Sequence, residues 1–152
     1  MEALGELLSP ARTRWDVPGT SKKAIFEEVA ALVAADHPDL DPGDLIGKLL
    51  AREKLGSTGL GGGIAIPHCR LASCGEPLGA LVSLREPADF DAPDDAPVDL
   101  LFVLLVPEEA HQEHLDILAA IARLFSQPAL RSALRACDSD RALYDTVVGW
   151  EG

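Results

Sequence analysis

The sequence predicts an α/β domain in which a β-sheet is layered against helices. Short apolar runs of strand length stand at Ile64–Ile66, Leu78–Leu84 and Val98–Val106. The stretches around them repeat their apolar residues at helical spacing. No repeat, low-complexity tract or linker longer than a loop divides the chain. At 152 residues and 47% hydrophobic it can bury roughly 68–70% of its unfolded surface in one core, so residues 1–152 read as a single domain.

Taken in order, Thr13–Val17 reads as a short strand, and Gly19, Thr20 and Ser21 supply turn and N-cap chemistry. Ala24, Ile25, Val29, Leu32 and Val33 then mark a helix that runs to about Asp36 and stops before Pro38. Asp41, with Pro42 just inside, opens a second helix carrying Leu45, Ile46, Leu49 and Leu50 and stopping near Gly56. Ile64–Ile66 forms a buried strand that Pro67 ends, because proline has no N–H to give a ladder. Between the two longer strands, Asp89, Asp91, Asp94 and Asp95 lie in a solvated loop, without the glycine and glutamate that an EF-hand loop requires. Pro107 closes the last strand. Glu108 and Glu109 favour a following helix N-terminus, whose core stripe reads as Leu115, Leu118, Ala122 and Phe125. Two short helices follow, from Pro128 to Ala136 and from Ser139, as N-cap, to Val148.

Charge narrows the function. Thirteen basic against 25 acidic residues give a net charge of −12, which repels nucleic-acid phosphates and anionic lipid. Such a surface suits a protein partner with a basic face. Glu2 and Glu6 stand where a signal peptide wants positive charge. The longest apolar run, Leu100–Val106, is far short of the ~18 residues that span a bilayer, so a soluble cytoplasmic protein without membrane insertion is expected. Cys69, Cys74 and Cys137 are odd in number and read as reduced thiols. No CxxC or HxxxH spacing supports a metal site.

The most informative segment is GSTGLGGGIAIPHCR, Gly56 to Arg70. Its glycines, Gly56, Gly59 and Gly61 to Gly63, are poor residues for regular structure and suit tight backbone beside a ligand. His68 follows the strand end on a rigid stalk. A neutral imidazole is a good nitrogen nucleophile near pH 7, since its ordinary pKa is about 6.5. If it takes a phosphoryl group, the site needs donors for close to two new charges. Backbone N–H groups of the glycine segment, Gly63 among them, and an arginine fork supply the right kind of donor. Arg52, at the end of the second helix, is placed for this, as is Arg70; Arg52 reads equally as a cation serving the helix C-terminus. His111 and His114, three apart on the helix after the long strand, either face His68 or face solvent; His37 reads as a loop residue without companions. The glycines do not form a nucleotide P-loop, since Ile64 and Ala65 stand where Lys and Ser/Thr would be, and there is no GxSxG elbow. Cys69 adjoins His68 on an extended segment and points the other way, so the pair does not share a proton.

These residues resemble the enzyme IIA proteins of the fructose, mannitol and nitrogen-regulatory branches of the bacterial phosphotransferase system. The likeness covers SKKAIFEEVA (Ser21–Ala30), REKLGSTGLGGGIAIPH (Arg52–His68), PVDLLFVLLVP (Pro97–Pro107) and HLDILAAIARLF (His114–Phe125), and is greatest to the nitrogen-regulatory branch. It implies a mixed β-sheet flanked by helices in a layered sandwich. It implies that His68 is phosphorylated by an HPr- or NPr-type phosphocarrier, that His114 lies across the site from it, and that Arg52 lies beside the phosphoryl group. Ser57 and Thr58 match the motif, although hydroxyls in a turn can also serve only to cap backbone. The sequence departs from the family at Cys69, where glycine is common, and at Arg70, where lysine is usual. The expected function is a phosphoryl relay, with no metal or organic cofactor, whose phosphorylation state regulates target proteins. The alternatives are a sugar-specific enzyme IIA that passes phosphate to an enzyme IIB, and a binding module inactive in phosphotransfer.

Overall fold

A computed structural model describes residues 4–109 and 112–151. The chain forms α1 (Leu4–Leu7), a 3₁₀ turn (Pro10–Arg12), β1 (Thr13–Val17), α2 (Lys22–Asp36) and α3 (Pro42–Leu55). It continues through β2 (Gly59–Gly61), β3 (Ile64–Ala65), β4 (His68–Leu71), β5 (Leu78–Ala88) and β6 (Val98–Pro107), and closes with α4 (Gln112–Phe125), α5 (Pro128–Arg135) and α6 (Asp140–Val148). No helix among the described residues is long and apolar enough to cross a membrane.

The six strands make one mixed sheet in the order β1-β5-β6-β3-β2, and β4 pairs with the same side of β6 farther along. β5 and β6 are antiparallel, whereas β1 runs parallel to β5, and β3 and β4 run parallel to β6. The sheet is buried on both faces, which is why β6 reads as a continuous apolar run. Its side chains nevertheless alternate: Leu101, Val103 and Leu105 pack with α2 and α3, while Leu100, Phe102, Leu104 and Val106 pack with α1, α4, α5 and α6.

The predicted caps hold. Ser21, Asp41 and Ser139 accept hydrogen bonds from the backbone N–H groups of Ala24, Gly43 and Ala142, at 3.1, 3.1 and 3.0 Å. Elsewhere the structure corrects the expectation. The glycine stretch contains regular structure: Gly59–Gly61 pairs antiparallel with β3, and the hairpin turns through Gly61, Gly62 and Gly63, all at positive φ (88°, 69° and 82°). His68 opens a further strand, because Pro67 interrupts the pairing with β6 and does not end it: His68 lies opposite Leu104 and Leu71 opposite Pro107. β5 runs past Leu84 to Ala88, with its pairing irregular between Ser83 and Ala88. Glu108 and Glu109 lie in a turn ahead of α4.

α4 keeps the predicted stripe except at its start: Phe125 is buried, and Leu118 and Ala122 pack against the core beside the buried Ile121 and Leu124, whereas Leu115 is 56% exposed. The first turn of α4 reaches past the core to His68 at the sheet edge, and the helix covers the core from Ile117 onward.

Candidate functional site

β4 carries His68 at its first position, and the Pro67 break lets the imidazole leave the plane of the ladder. Along this edge even-numbered residues face α4 and odd-numbered ones face α2 and α3: Ile64 and Ile66 belong to the α4-side core, Ala65 and Cys69 to the other. His68 and Cys69 are therefore on opposite faces, as the extended geometry predicts. Burial pushes the Cys69 thiol up to about 12, with Cys74 and Asp44 adding to the shift, so it is not a thiolate at neutral pH.

His68 is half-buried, and both its ring nitrogens are engaged. Nδ1 lies 2.8 Å from the Ile66 carbonyl oxygen, and Nε2 lies 3.3 Å from Nε of Arg52. An arginine can only donate, so Nε2 accepts, and Nδ1 carries the hydrogen that goes to Ile66. The neutral imidazole thus points its lone pair at a guanidinium. Burial holds His68 below the usual histidine range; the Ile66 carbonyl and Glu53 oppose this and Arg52 reinforces it.

Arg52 reaches the site from the last turn of α3, which packs against β4. Its Nη1 donates to the Gly56 carbonyl at 2.8 Å. Arg52 thus serves its helix C-terminus, as one reading of the sequence has it, and the same anchor sets its Nε on the imidazole. His114, on α4, is buried, and its ring stands edge-to-face with His68 at 5.7 Å between centroids and 66° between planes. Its Nδ1 has no hydrogen-bond partner among the described residues. Burial, with His68 and Arg70 adding to it, lowers the pKa of His114 below the usual histidine value. Arg70, exposed and two residues along β4, borders one depression with Lys48, Arg52, Leu55, His68 and His114, about 510 Å³ in volume. A second, about 340 Å³, opens on the other side of Arg52 and His68 between Ser57–Leu60 and the α4 residues Leu115, Leu118, Ala119 and Ala122.

The remaining predicted site residues divide. Ser57 and Thr58 border the second depression, but their hydroxyls are engaged with the protein. Ser57 donates to the Phe90 carbonyl at 2.5 Å and accepts from the Gly59 N–H at 3.0 Å, and Thr58 donates to the Glu53 carboxylate. Gly63 lies apart, bordering neither depression. Its carbonyl accepts the N–H groups of Asp99 and Leu100, and a Cβ there would stand 2.3 Å from Nη2 of Arg135. The N–H of the adjacent Gly62 goes to Asp94 at 2.9 Å and its carbonyl accepts from Arg135 at 2.6 Å. The glycine turn is therefore clasped by Asp94, Arg135 and the backbone of Asp99 and Leu100, away from both depressions beside His68, which corrects the reading of these glycines as a cradle at the histidine. His37 has companions after all, with Nε2 3.3 Å from Nη1 of Arg12 and 3.4 Å from the Asp36 carboxylate. His111 lies outside the described residues. Among those described, no three His, Cys, Asp or Glu side chains gather in a way that could hold a metal ion.

Three features escaped the sequence reading. The exposed apolar rim of Leu60 and Leu115 depends on how α4 overhangs the edge, and Lys48 depends on how α3 meets β4. Glu53 carried a usable signal: a glutamate in the last turn of a helix opposes the helix dipole, and such a residue has another task.

The family model for the phosphoenolpyruvate-dependent sugar phosphotransferase system, EIIA 2, matches residues 6–148. The chain belongs to this family. Among enzyme IIA relatives, the nitrogen regulatory protein of Pseudomonas aeruginosa is 51% identical over 148 residues, 97% of this chain and 96% of the relative. The crystal structure of nitrogen regulatory protein IIA-Ntr from Neisseria meningitidis superposes with a TM-score of 0.84 at 42% identity, covering 95% of this chain and 98% of that one. The mannitol enzyme IIA of Escherichia coli, solved in complex with phosphorylated mannitol enzyme IIB, gives a TM-score of 0.75 at 15% identity and covers 95% and 100% of the two chains, a likeness of fold. The mixed sheet flanked by helices is the enzyme IIA fold.

Proposed function

We propose that the protein accepts a phosphoryl group on Nε2 of His68 from an HPr- or NPr-type phosphocarrier, and that the two phosphorylation states are read by target proteins, as in the nitrogen-regulatory branch. The observation that carries this reading is the hydrogen bond from Arg52 to Nε2. It marks the nitrogen with the available lone pair and puts a fixed cation where the phosphoryl charge would arrive. In the transfer, the carrier's P–N bond breaks as the bond to Nε2 forms, and the electron pair of the broken bond returns to the carrier's ring. Little covalent chemistry is asked of the protein, so positioning and charge stabilisation dominate.

The remaining side chains take roles that fit this transfer. Ile66 retains the Nδ1 proton, which favours the ring as a leaving group when the phosphate is passed on. His114, with an unpartnered buried nitrogen, is placed to hydrogen-bond a phosphate oxygen, and Arg70 adds positive charge at the rim. The exposed Leu60 and Leu115 offer apolar surface around the histidine on which a partner protein can exclude water during transfer. The roughly two added charges turn the surface at Arg52 and Arg70 from cationic to neutral or anionic, which is the means by which a target distinguishes the states. The nitrogen-regulatory assignment is supported by the 51% identity to the Pseudomonas aeruginosa protein.

Incubation with phosphoenolpyruvate, enzyme I and a phosphocarrier, followed by intact mass measurement, tests the relay. The expected result is one acid-labile phosphate on the wild type and none on His68→Ala. An unmodified wild type, under conditions that phosphorylate a control enzyme IIA, overturns it. Adding candidate enzyme IIB proteins to the phosphorylated protein separates transport from regulation.

A further inference from the structure

Glu53 is an expensive residue in its place: it stands at the negative end of α3, and its side chain is only 3% exposed. Two groups hold it. Lys22 Nζ, at the start of α2, lies 3.0 Å from one carboxylate oxygen, and the Thr58 hydroxyl donates to the other. Thr58 is itself buried, and its carbonyl accepts the N–H of Ile66 at 3.0 Å. The Ile66 carbonyl in turn accepts the Nδ1 hydrogen of His68 at 2.8 Å. A series of contacts therefore runs from a buried carboxylate, through Thr58 and the backbone of Ile66, whose N–H and carbonyl lie in the successive peptide groups on either side of its Cα, to the imidazole nitrogen that faces away from Arg52.

We propose that Glu53 is a positioning residue of the site: by anchoring Thr58 it fixes the backbone of Ile66 at its N–H, and the carbonyl of that same residue holds His68 in the Nδ1–H form with Nε2 presented to Arg52. Its bearing on phosphotransfer rests on the reading of His68 as phosphoacceptor. Glu53 touches no reacting atom and acts through Thr58 and Ile66. Anchoring by this route gives a task to a Thr58 hydroxyl that is bonded into the protein although the residue borders the cavity. It also explains why a carboxylate is kept beside Arg52, where it would otherwise compete for the guanidinium. Consecutive contacts are joined through the Cα atoms of Thr58 and Ile66, so loss of the first is felt at the last through the position of those two residues. The charged and titratable groups facing His68 are Arg52 and Glu53 from α3, Arg70 from β4 and His114 from α4, with Lys22 and Asp91 behind Glu53.

The test uses the full-length protein and three variants. Long-range ¹H–¹⁵N NMR of the His68 ring at pH 8, with no phosphate donor present, reads the tautomer. A single-turnover assay with a phosphocarrier reads the rate, and circular dichroism with denaturant unfolding reads the fold. Thr58→Val and Glu53→Ala are expected to remain folded, to show a mixture of the two tautomers, and to accept phosphate roughly tenfold more slowly. Glu53→Gln keeps an oxygen for the Thr58 hydroxyl and is expected to restore the Nδ1–H form and most of the rate. A merely structural role would lower the unfolding midpoint and leave the tautomer alone. A folded Thr58→Val with the wild-type tautomer and rate overturns the proposal, and so does a Glu53→Gln indistinguishable from Glu53→Ala. If Glu53→Ala does not fold, Thr58→Val and Glu53→Gln decide the matter. Because the tautomer is read without a donor, a wild type that takes no phosphate refutes the phosphoacceptor reading alone.

Discussion

Arg52 and Arg135 occupy matching places in the molecule. Each stands in the last turn of its helix and donates to a glycine carbonyl, Arg52 to Gly56 at 2.8 Å and Arg135 to Gly62 at 2.6 Å. They differ in what the rest of the guanidinium meets. Arg135 forms a two-pronged pair with Asp99, at 2.8 and 2.9 Å, so its charge is already neutralised. Arg52 meets the lone pair of His68, a neutral acceptor, and keeps its charge for whatever arrives there. The glycine hairpin beside Arg135 has the composition of an anion site, yet its Gly62 N–H is taken by Asp94, its Gly62 carbonyl by Arg135 and its Gly63 carbonyl by the N–H groups of Asp99 and Leu100. On the proposed function, the place for an anion is marked by a cation left without a carboxylate, and glycine content is a poorer guide.

Three substitutions sharpen this contrast. Arg52→Ala is expected to slow phosphorylation of His68 by roughly 10²-fold, the usual loss when one charged donor to the reacting group is removed, while the denaturant midpoint stays near wild type. A rate within experimental error of wild type would erase the distinction between the two arginines. Gly63→Ala meets Arg135 at 2.3 Å and Asp99 at 2.9 Å from a backbone with φ +82°, so it is expected to destabilise the fold by about 1–3 kcal/mol in urea titrations and still take up one phosphate. Arg135→Ala breaks a partly exposed ion pair and is expected to lower stability by about 1 kcal/mol with the phosphorylation rate unchanged. A large rate loss in either would bring the hairpin into the chemistry.

The smallest effect concerns protons. Burial lowers the pKa of both His68 and His114 below the ordinary histidine value of 6.5. Groups with a depressed folded pKa take up protons first in the unfolded chain, so stability from these two is complete above about pH 6.5 and declines as pH falls below it. Urea midpoints measured from pH 7.5 to 5.5 should fall, and His114→Gln should flatten the slope. Equal slopes in wild type and variant would show that His114 is not held neutral by the fold.

Legibility in the sequence followed the range of the interactions. The capped helices could be read because Ser21, Asp41 and Ser139 bond to N–H groups two or three residues away. His68 stood out because proline, glycine and strand signals surround it. The meeting of His68 with Arg52 and His114 was one of two open readings from local pattern, and family resemblance chose between them, since it depends on β4 lying against both α3 and the start of α4. The glycine turn was misread because positive φ marks a sharp turn and says nothing of which side chains fill it. Leu115 obeys the helical period of its neighbours but lies beyond the edge of the sheet that the rest of the helix covers. Arg12 escaped notice entirely: it is buried by bonds to the carbonyls of Leu7 and Gly79 and by an ion pair to Asp36 at 2.5 Å, partners that only the fold brings together.

The position of the phosphate on the His68 ring tests the site geometry most directly. Phosphorylated, ¹⁵N-histidine-labelled protein should show ³¹P coupling at Nε2, the nitrogen that faces Arg52, with the hydrogen retained on Nδ1 toward Ile66. Phosphate on Nδ1, or on another residue, would contradict the assignment.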